Sequence, residues 1–249
     1  SNKKFNYKMT YLTYAGESNN KSEDNIKNNL LKIFIFYCVL SIIYFSLLNL
    51  SGVRLFNSLN LTMTLVSSGG FLPSDSLNEI ITTNYQKTIL IICLIFSMLN
   101  FYFLFNIFNK KILIKSHKED LYLIVLAGIF ILLIYFNKFD LLDIILSVAS
   151  SLSNSGLTLL KNENNLGLYF LFLTIIGGSL ISNSSGIKLS RFYILLKITS
   201  AEIIRLISPN SVINKTIFNS ENKITDDNIK FSFLIFISFF LSLFILSSF

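Results

Sequence analysis

The chain has little that would support ordinary enzyme chemistry. Histidine occurs once, cysteine and proline twice each, and tryptophan not at all. The single His117 stands in a basic stretch and suggests no catalysis. Cys38 and Cys93 lie in separate apolar blocks, where two thiols read as small buried core residues rather than as a disulfide or a metal site. Charge is scarce as well: 14% of residues are charged, against about 25% in soluble domains. The first 29 residues are polar, with Lys3, Lys4, Lys8, Lys21 and Lys27. They lack the apolar core and cleavage site of a signal peptide.

What the chain does have is hydrophobic length. Its 249 residues are 52% hydrophobic, with mean hydropathy +0.61. The apolar residues fall in blocks of about 18–25, the length that crosses roughly 30 Å of hydrocarbon as a helix. These features predict an all-α polytopic membrane protein. The net charge of +7 then belongs to loops that set topology, not to nucleic-acid binding. The 25 phenylalanines carry no functional implication.

Two kinds of apolar segment alternate. "NLLKIFIFYCVLSIIYFSLLNL" (29–50) and "TILIICLIFSMLNFYFLFNIF" (88–108) are long enough to span. Between them "VRLFNSLNLTMTLVSSGGFLPSDS" (53–76) has a helical part of about 15 residues, only about 22 Å long. The same order recurs: a span at 121–136, a short segment "FDLLDIILSVASSLSNSGLTLL" (139–160), and a long one at 166–204. Superimposing Gly70 on Gly156 places Leu55 over Leu141, Asn57 over Asp143 and Ser67 over Ser153, a duplication with a period of about 86 residues. A loop with Pro209 and a last apolar block follow.

The predicted organisation is therefore modular. Residues 1–28 read as the end of a preceding module plus a cytoplasmic loop. Residues 29–108 form a helix–pore helix–helix module, 109–120 a cytoplasmic loop, and 121–204 a second such module with a broken last helix. Residues 205–228 are a cytoplasmic loop and 229–249 the first helix of a truncated further module. The chain is expected to be an internal slice of a longer protein. Basic residues from Lys3 to Lys27, Lys110 to Lys118, and at Arg205, Lys215, Lys223 and Lys230 mark the cytoplasmic side. Only Arg54, Lys87, Lys138 and Lys161 fall on the other.

Backbone that leaves the helix at membrane depth survives only inside protein or against water. A half-crossing helix that ends in Ser and Gly presents carbonyls and the negative end of its dipole. Such carbonyls can replace a cation's hydration shell. The candidate filter residues are Ser67, Ser68, Gly69 and Gly70 in one segment and Ser153, Asn154, Ser155 and Gly156 in the other. No acidic ring lines them, and Asp75 lies just outside, so a monovalent cation is favoured. The alternative is that these small residues only pack helices.

The long segment "IIGGSLISNSSGIKLSRFYILLK" (175–197) poses a separate problem. Some 39 residues as one helix would run about 58 Å, nearly twice the hydrocarbon thickness. Its glycines and its Ser/Asn run weaken the helix between Gly178 and Gly186, so the break is expected there. Lys188 and Arg191 either snorkel to the cytoplasmic interface or, for Lys188, stabilise the broken segment or repel cations.

Taken together, "TLVSSGGFLPSD" (64–75), "SSLSNSGLT" (150–158), "IGGSLISNSSGIKLSRFYILLK" (176–197) and "LISPNSVI" (206–213) resemble the Trk/Ktr family of bacterial potassium uptake proteins. The resemblance covers about residue 10 to 249. It implies repeated helix–pore helix–helix modules around one pathway, as in potassium-channel-like transporters. It departs from the family at Leu180, Ile181, Ser184 and Ser185, where small residues or glycine are usual, and at Leu157, which replaces an aromatic.

The resemblance also implies a gate loop beneath the filter, made here of Gly177, Gly178, Ser182, Asn183, Ser184, Ser185, Gly186 and Lys188. The implied function is potassium uptake across a prokaryotic plasma (inner) membrane. The alternatives are a sodium or less selective monovalent cation transporter, or a non-conducting assembly subunit. Implied partners are the lipid bilayer, a second copy of the full-length protein and a cytosolic nucleotide-binding regulatory subunit. No cofactor is expected in this chain beyond the transported K+, and no nucleic-acid partner. A membrane-embedded enzyme would need a cluster of His, Asp, Glu or Cys. Asp140 and Asp143 are read as lacking partners for one.

Overall fold

A computed structural model describes residues 23–101, 103–104, 118–136, 139–160, 166–208, 216–219 and 224–248. Among these residues every regular element is a helix. The N-terminal polar segment, the basic loop with His117 and residues 209–215 lie outside the described residues.

The first half contains α1 (Glu23–Leu50), α2 (Leu55–Ser67), the single turn α3 (Leu77–Ile80) and α4 (Asn84–Met98). The second contains α5 (Lys118–Tyr135), α6 (Leu141–Ser153), α7 (Gly167–Ile176) and α8 (Leu189–Ile207). A 3-10 turn at Ile217–Asn219 and α9 (Asp226–Ser247) follow. Local sequence explains several boundaries. Thr83 and Gln86 form a reciprocal capping box that starts α4. At α9 the Thr225 hydroxyl accepts from the Asn228 N–H, with Asp226 and Asp227 in the first turn facing the positive end of the helix dipole.

Two half-length helices, α2 and α6, stand out among the described residues. Helices α2 and α6 each have 13 residues, about 20 Å, and occupy positions related by the sequence period. Helix α6 is central: it packs on α4, α5 and α7, and Leu146 through Ser153 are all buried. Helix α2 packs against α1 and α4.

Small polar groups share the interior with a hydrophobic core, and large apolar side chains cover the exterior. Buried positions include Ser97, Ser147, Ser150, Ser151, Ser153, Ser155, Ser179 and Ser184. The exterior carries Leu132 and Phe136 on the α5 side and Phe233, Leu234, Phe244 and Leu246 on α9, all exposed. A water-soluble surface does not sustain apolar patches of this extent; hydrocarbon does. Helix α9 has 22 residues and is the one described helix both long and apolar enough to cross a bilayer by itself. Helices α4 and α7 are shorter, 15 and 10 residues, because they end at breaks.

Two expectations are corrected here. Cys93 is buried, but Cys38 is exposed on α1, so only one thiol is a core residue. The segment 88–108 is not one continuous helix. Helix α4 stops at Met98, Leu99 is extended (φ −82°, ψ 158°), and helical structure resumes at Phe101.

Candidate functional site

Helices α2 and α6 end in the same way. Ser68 (φ 53°, ψ 38°) and Asn154 (φ 59°, ψ 26°) are both left-handed. The next amide reaches back five residues in each case: Gly69 N to Thr64 O at 3.2 Å and Ser155 N to Ser150 O at 3.1 Å. This is a Schellman closure with a non-glycine residue at the left-handed position. Beyond it both chains leave the helix, and both carry a glycine at positive φ, Gly70 (72°) and Gly156 (66°).

The two exits lie side by side. A Cβ built on Gly156 would come to 3.8 Å from the Gly70 Cα, and one on Gly70 to 3.2 Å from the Ser155 carbonyl oxygen. Among the described residues, the carbonyls of Ser68, Gly69, Gly70, Asn154, Ser155 and Gly156 accept no hydrogen bond. The Phe71 carbonyl is different: the Thr64 hydroxyl donates to it at 2.5 Å. Ser67 and Ser153 are the last helical residues, and their hydroxyls donate locally to Met63 O (2.7 Å) and Ser150 O (3.1 Å). Ser155 is buried, its hydroxyl 2.9 Å from that of Ser153.

Between α7 and α8 the chain is non-helical from Gly177 to Lys188, where the sequence places the break. The two helices are nonetheless stitched together. Ile187 N donates to Ile175 O (3.0 Å) and Lys188 N to Ile176 O (2.9 Å), so the last carbonyls of α7 are satisfied by the residues that lead into α8. The intervening residues form a loop inserted into a helix that otherwise resumes. Gly177 stands where any side chain would run into the Ser185 carbonyl oxygen, and a Cβ on Gly178 would lie 2.6 Å from the Met98 carbonyl oxygen.

The loop fills the break in α4. Ser179 N donates to Met98 O (3.0 Å), Asn183 N to Ser97 O (3.2 Å) and Phe101 N to Ile181 O (2.8 Å). From α5, the Glu119 carboxylate accepts from Leu180 N at 2.9 Å. Lys188 turns inward instead of snorkelling. Its ammonium group donates to the Ser184 carbonyl, the Ser184 hydroxyl (3.1 Å) and the Ser182 hydroxyl (3.2 Å). Ser182 also donates to Ser179 O at 2.7 Å. Ser184 Oγ accepts from Gly178 N at 3.0 Å, while Ser185 is exposed. Arg191 lies against Phe231 of α9, its guanidinium carbon 5.6 Å from the ring centre.

The loop also touches the helix exits above it. Ser68 Oγ donates to Asn183 O at 3.0 Å, and Asn154 Nδ2 lies 3.2 Å from where a Cβ on either Gly177 or Gly186 would stand. The structure thus brings the two groups of sequence-selected residues into one cluster. Sequence reasoning missed Glu119, Ser97 and Met98, which act on the loop from remote parts of the chain. It also missed the ion pair of Asp143, whose carboxylate lies 2.6 Å from the Lys87 ammonium. Among the described residues no group of three or more His, Cys, Asp or Glu is placed to hold a metal ion.

Unpaired backbone carbonyls at the ends of half-length helices, inside an apolar shell, fit a polytopic helical membrane protein. The comparisons narrow the class. No protein-family model matches the chain. An uncharacterized cation transporter of Methanocaldococcus jannaschii is 29% identical over 217 residues, 82% of this chain and 44% of its own length. The crystal structure of the potassium transporter TrkH from Vibrio parahaemolyticus superimposes with a TM-score of 0.78 at 18% identity, over 94% of this chain and 52% of that one. The chain therefore has the fold of that transporter, and the resemblance drawn from the sequence holds at the level of fold. It spans about half the length of the relatives it matches.

Proposed function

We propose that the chain is the pore-forming part of a monovalent cation transporter that takes up potassium across a prokaryotic plasma membrane. One observation carries the reading: two half-length helices with the same closure bring Gly70 and Gly156 side by side, each flanked by carbonyls that no described residue uses. A cation shedding water needs such oxygens, held in place before it arrives. The carbonyls of Ser68, Gly69, Gly70, Asn154, Ser155 and Gly156 are the proposed ligands. The names of the two relatives, a cation transporter and a potassium transporter, agree with transport rather than catalysis.

The loop from Gly177 to Lys188 is the proposed gate. It sits against both helix exits and is held by side chains from α2, α5 and its own C-terminal end. Uptake is electrically driven: one charge moving through 100 mV gains about 2.3 kcal/mol. A second copy of the full-length protein and a cytosolic nucleotide-binding regulatory subunit, which would bind ATP or NAD itself, are the proposed partners. The test is 86Rb+ uptake by cells and proteoliposomes carrying the full-length protein. Potential-dependent uptake that potassium competes away supports the reading. Uptake driven equally by sodium would move it to a less selective transporter, and no uptake would leave the assembly-subunit reading.

A further inference from the structure

Ser68 and Asn154 occupy a position that glycine usually fills. A left-handed conformation costs a residue with a Cβ more than it costs glycine, and both positions are left-handed here. Asparagine tolerates this backbone better than serine does, and at both positions the question is what the side chain does there. Neither side chain bonds to its own helix exit. Both point at the loop between α7 and α8, from opposite repeats.

Their contacts differ in kind. The Ser68 hydroxyl makes a 3.0 Å bond to the Asn183 carbonyl, 115 residues away. Asn183 is held from its other side by Ser97 O, which accepts its N–H at 3.2 Å, so the bond fixes the middle of the loop. The Asn154 Nδ2 fills the notch left by two glycines, Gly177 and Gly186. It is buried there, and among the described residues it has no hydrogen-bond partner. A buried donor without an acceptor disfavours the state that buries it. If the loop moves away, water reaches that donor.

We propose that Ser68 and Asn154 are positioning residues that couple the filter to the gate with opposite signs. The Ser68 hydroxyl holds the loop in place, and the Asn154 amide favours its release. The inference rests on the transport reading for the terms filter and gate, but the contacts stand without it. Because each side chain belongs to the residue that turns the chain into the filter, a shift of the loop is felt at the filter backbone of both repeats.

Glycine is the informative replacement, since it removes the side chain and suits the left-handed backbone better than the native residue. Hydrogen–deuterium exchange of the purified full-length protein reads the loop directly. Peptides covering 177–188 should exchange several-fold faster in Ser68→Gly and several-fold slower in Asn154→Gly. Peptides covering α2 and α6 should keep the native rate in both variants. In proteoliposomes 86Rb+ flux should rise in the first variant and fall in the second. Loop exchange that is unchanged in Ser68→Gly, or not slowed in Asn154→Gly, overturns the coupling even if the protein transports cations. Exchange that moves as stated in a protein carrying no cation would sink the transport reading and leave the coupling intact.

Discussion

The Lys87 ammonium lies 2.6 Å from the Asp143 carboxylate, with the two side chains 17% and 18% exposed. The pair ties the first turns of α4 and α6, at the end of α6 opposite the candidate filter. Asp143 has a second favourable neighbour, because it stands in the first turn of α6, where the helix dipole stabilises negative charge. The partners are therefore not equivalent. Lys87→Met leaves a carboxylate still stabilised by the dipole. Asp143→Asn leaves an ammonium facing a positive helix end. For a pair mostly shielded from solvent the loss should be roughly 1–2 kcal/mol, between exposed and fully buried cases. The expected order of thermal unfolding midpoints in detergent is wild type, then Lys87→Met, then Asp143→Asn. The reverse order for the two variants would remove the dipole from the account.

The two glycines of the proposed filter should not respond equally to a methyl group. Both have positive φ, so Ala at either costs about 1–2 kcal/mol in backbone strain. The surroundings then separate them. At Gly70 the new Cβ would lie 3.2 Å from the Ser155 carbonyl oxygen, tighter than ordinary contact, whereas at Gly156 its nearest neighbour would be the Gly70 Cα at 3.8 Å. Gly70→Ala must displace a proposed ligand of the other repeat. It should lower the potassium-to-sodium permeability ratio, read from reversal potentials of the full-length protein, well below that of Gly156→Ala. Equal ratios would separate selectivity from the backbone at Ser155.

How much of this was legible in the sequence depended on distance along the chain. The half-length helices could be read because their signal is local: an apolar run too short to span, closed by small residues, repeated at one offset. The break between Gly177 and Lys188 was legible for the same reason. The interruption of α4 at Leu99 was not. "SMLNF" contains neither glycine nor proline, and helix propensity alone would carry it through. The helix yields there because Ser179 and Asn183 donate to the Met98 and Ser97 carbonyls, while Ile181 O accepts from Phe101 N. Those partners lie some 80 residues downstream. Lys87 and Asp143, 56 residues apart, were hidden for the same reason. The exposed Cys38 was a failure of pattern: α1 is apolar on every side, so composition could not say which face meets protein.

Lys188 should act on the proposed gate through its charge-assisted hydrogen bonds. It closes the loop on itself by donating to Ser184 and Ser182, and it lies buried while doing so. A hydrogen bond to a charged group contributes about 1.5–3 kcal/mol, and about 1.4 kcal/mol is a factor of ten in an equilibrium. Lys188→Gln should therefore raise the open fraction, and with it 86Rb+ flux, at least about tenfold. Deleting residues 180–185 should raise flux too, and adding Lys188→Gln to that deletion should then have little further effect. A tenfold change in both backgrounds would place the lysine's action on the permeating ion.

Two glycines elsewhere give opposite predictions from the same substitution. Gly177 (φ 70°, ψ −166°) lies in a region essentially reserved for glycine, at a cost of about 1–3 kcal/mol for any other residue. A Cβ there would also collide with the Ser185 carbonyl oxygen. That oxygen belongs to the backbone and cannot swing aside without moving the loop. Gly177→Ala should cost upwards of about 3 kcal/mol and lower the unfolding midpoint while loosening the proposed gate. Gly128 lies within α5, and a Cβ there would meet nothing within 4 Å. Ala at that site removes the entropic cost of a mid-helix glycine, a gain of roughly 0.5–1 kcal/mol. Thermal unfolding of the two variants should therefore bracket the wild type, with 86Rb+ flux altered only in Gly177→Ala. If Gly177→Ala unfolds and conducts like the wild type, the loop is not closed in the native state as the structure draws it.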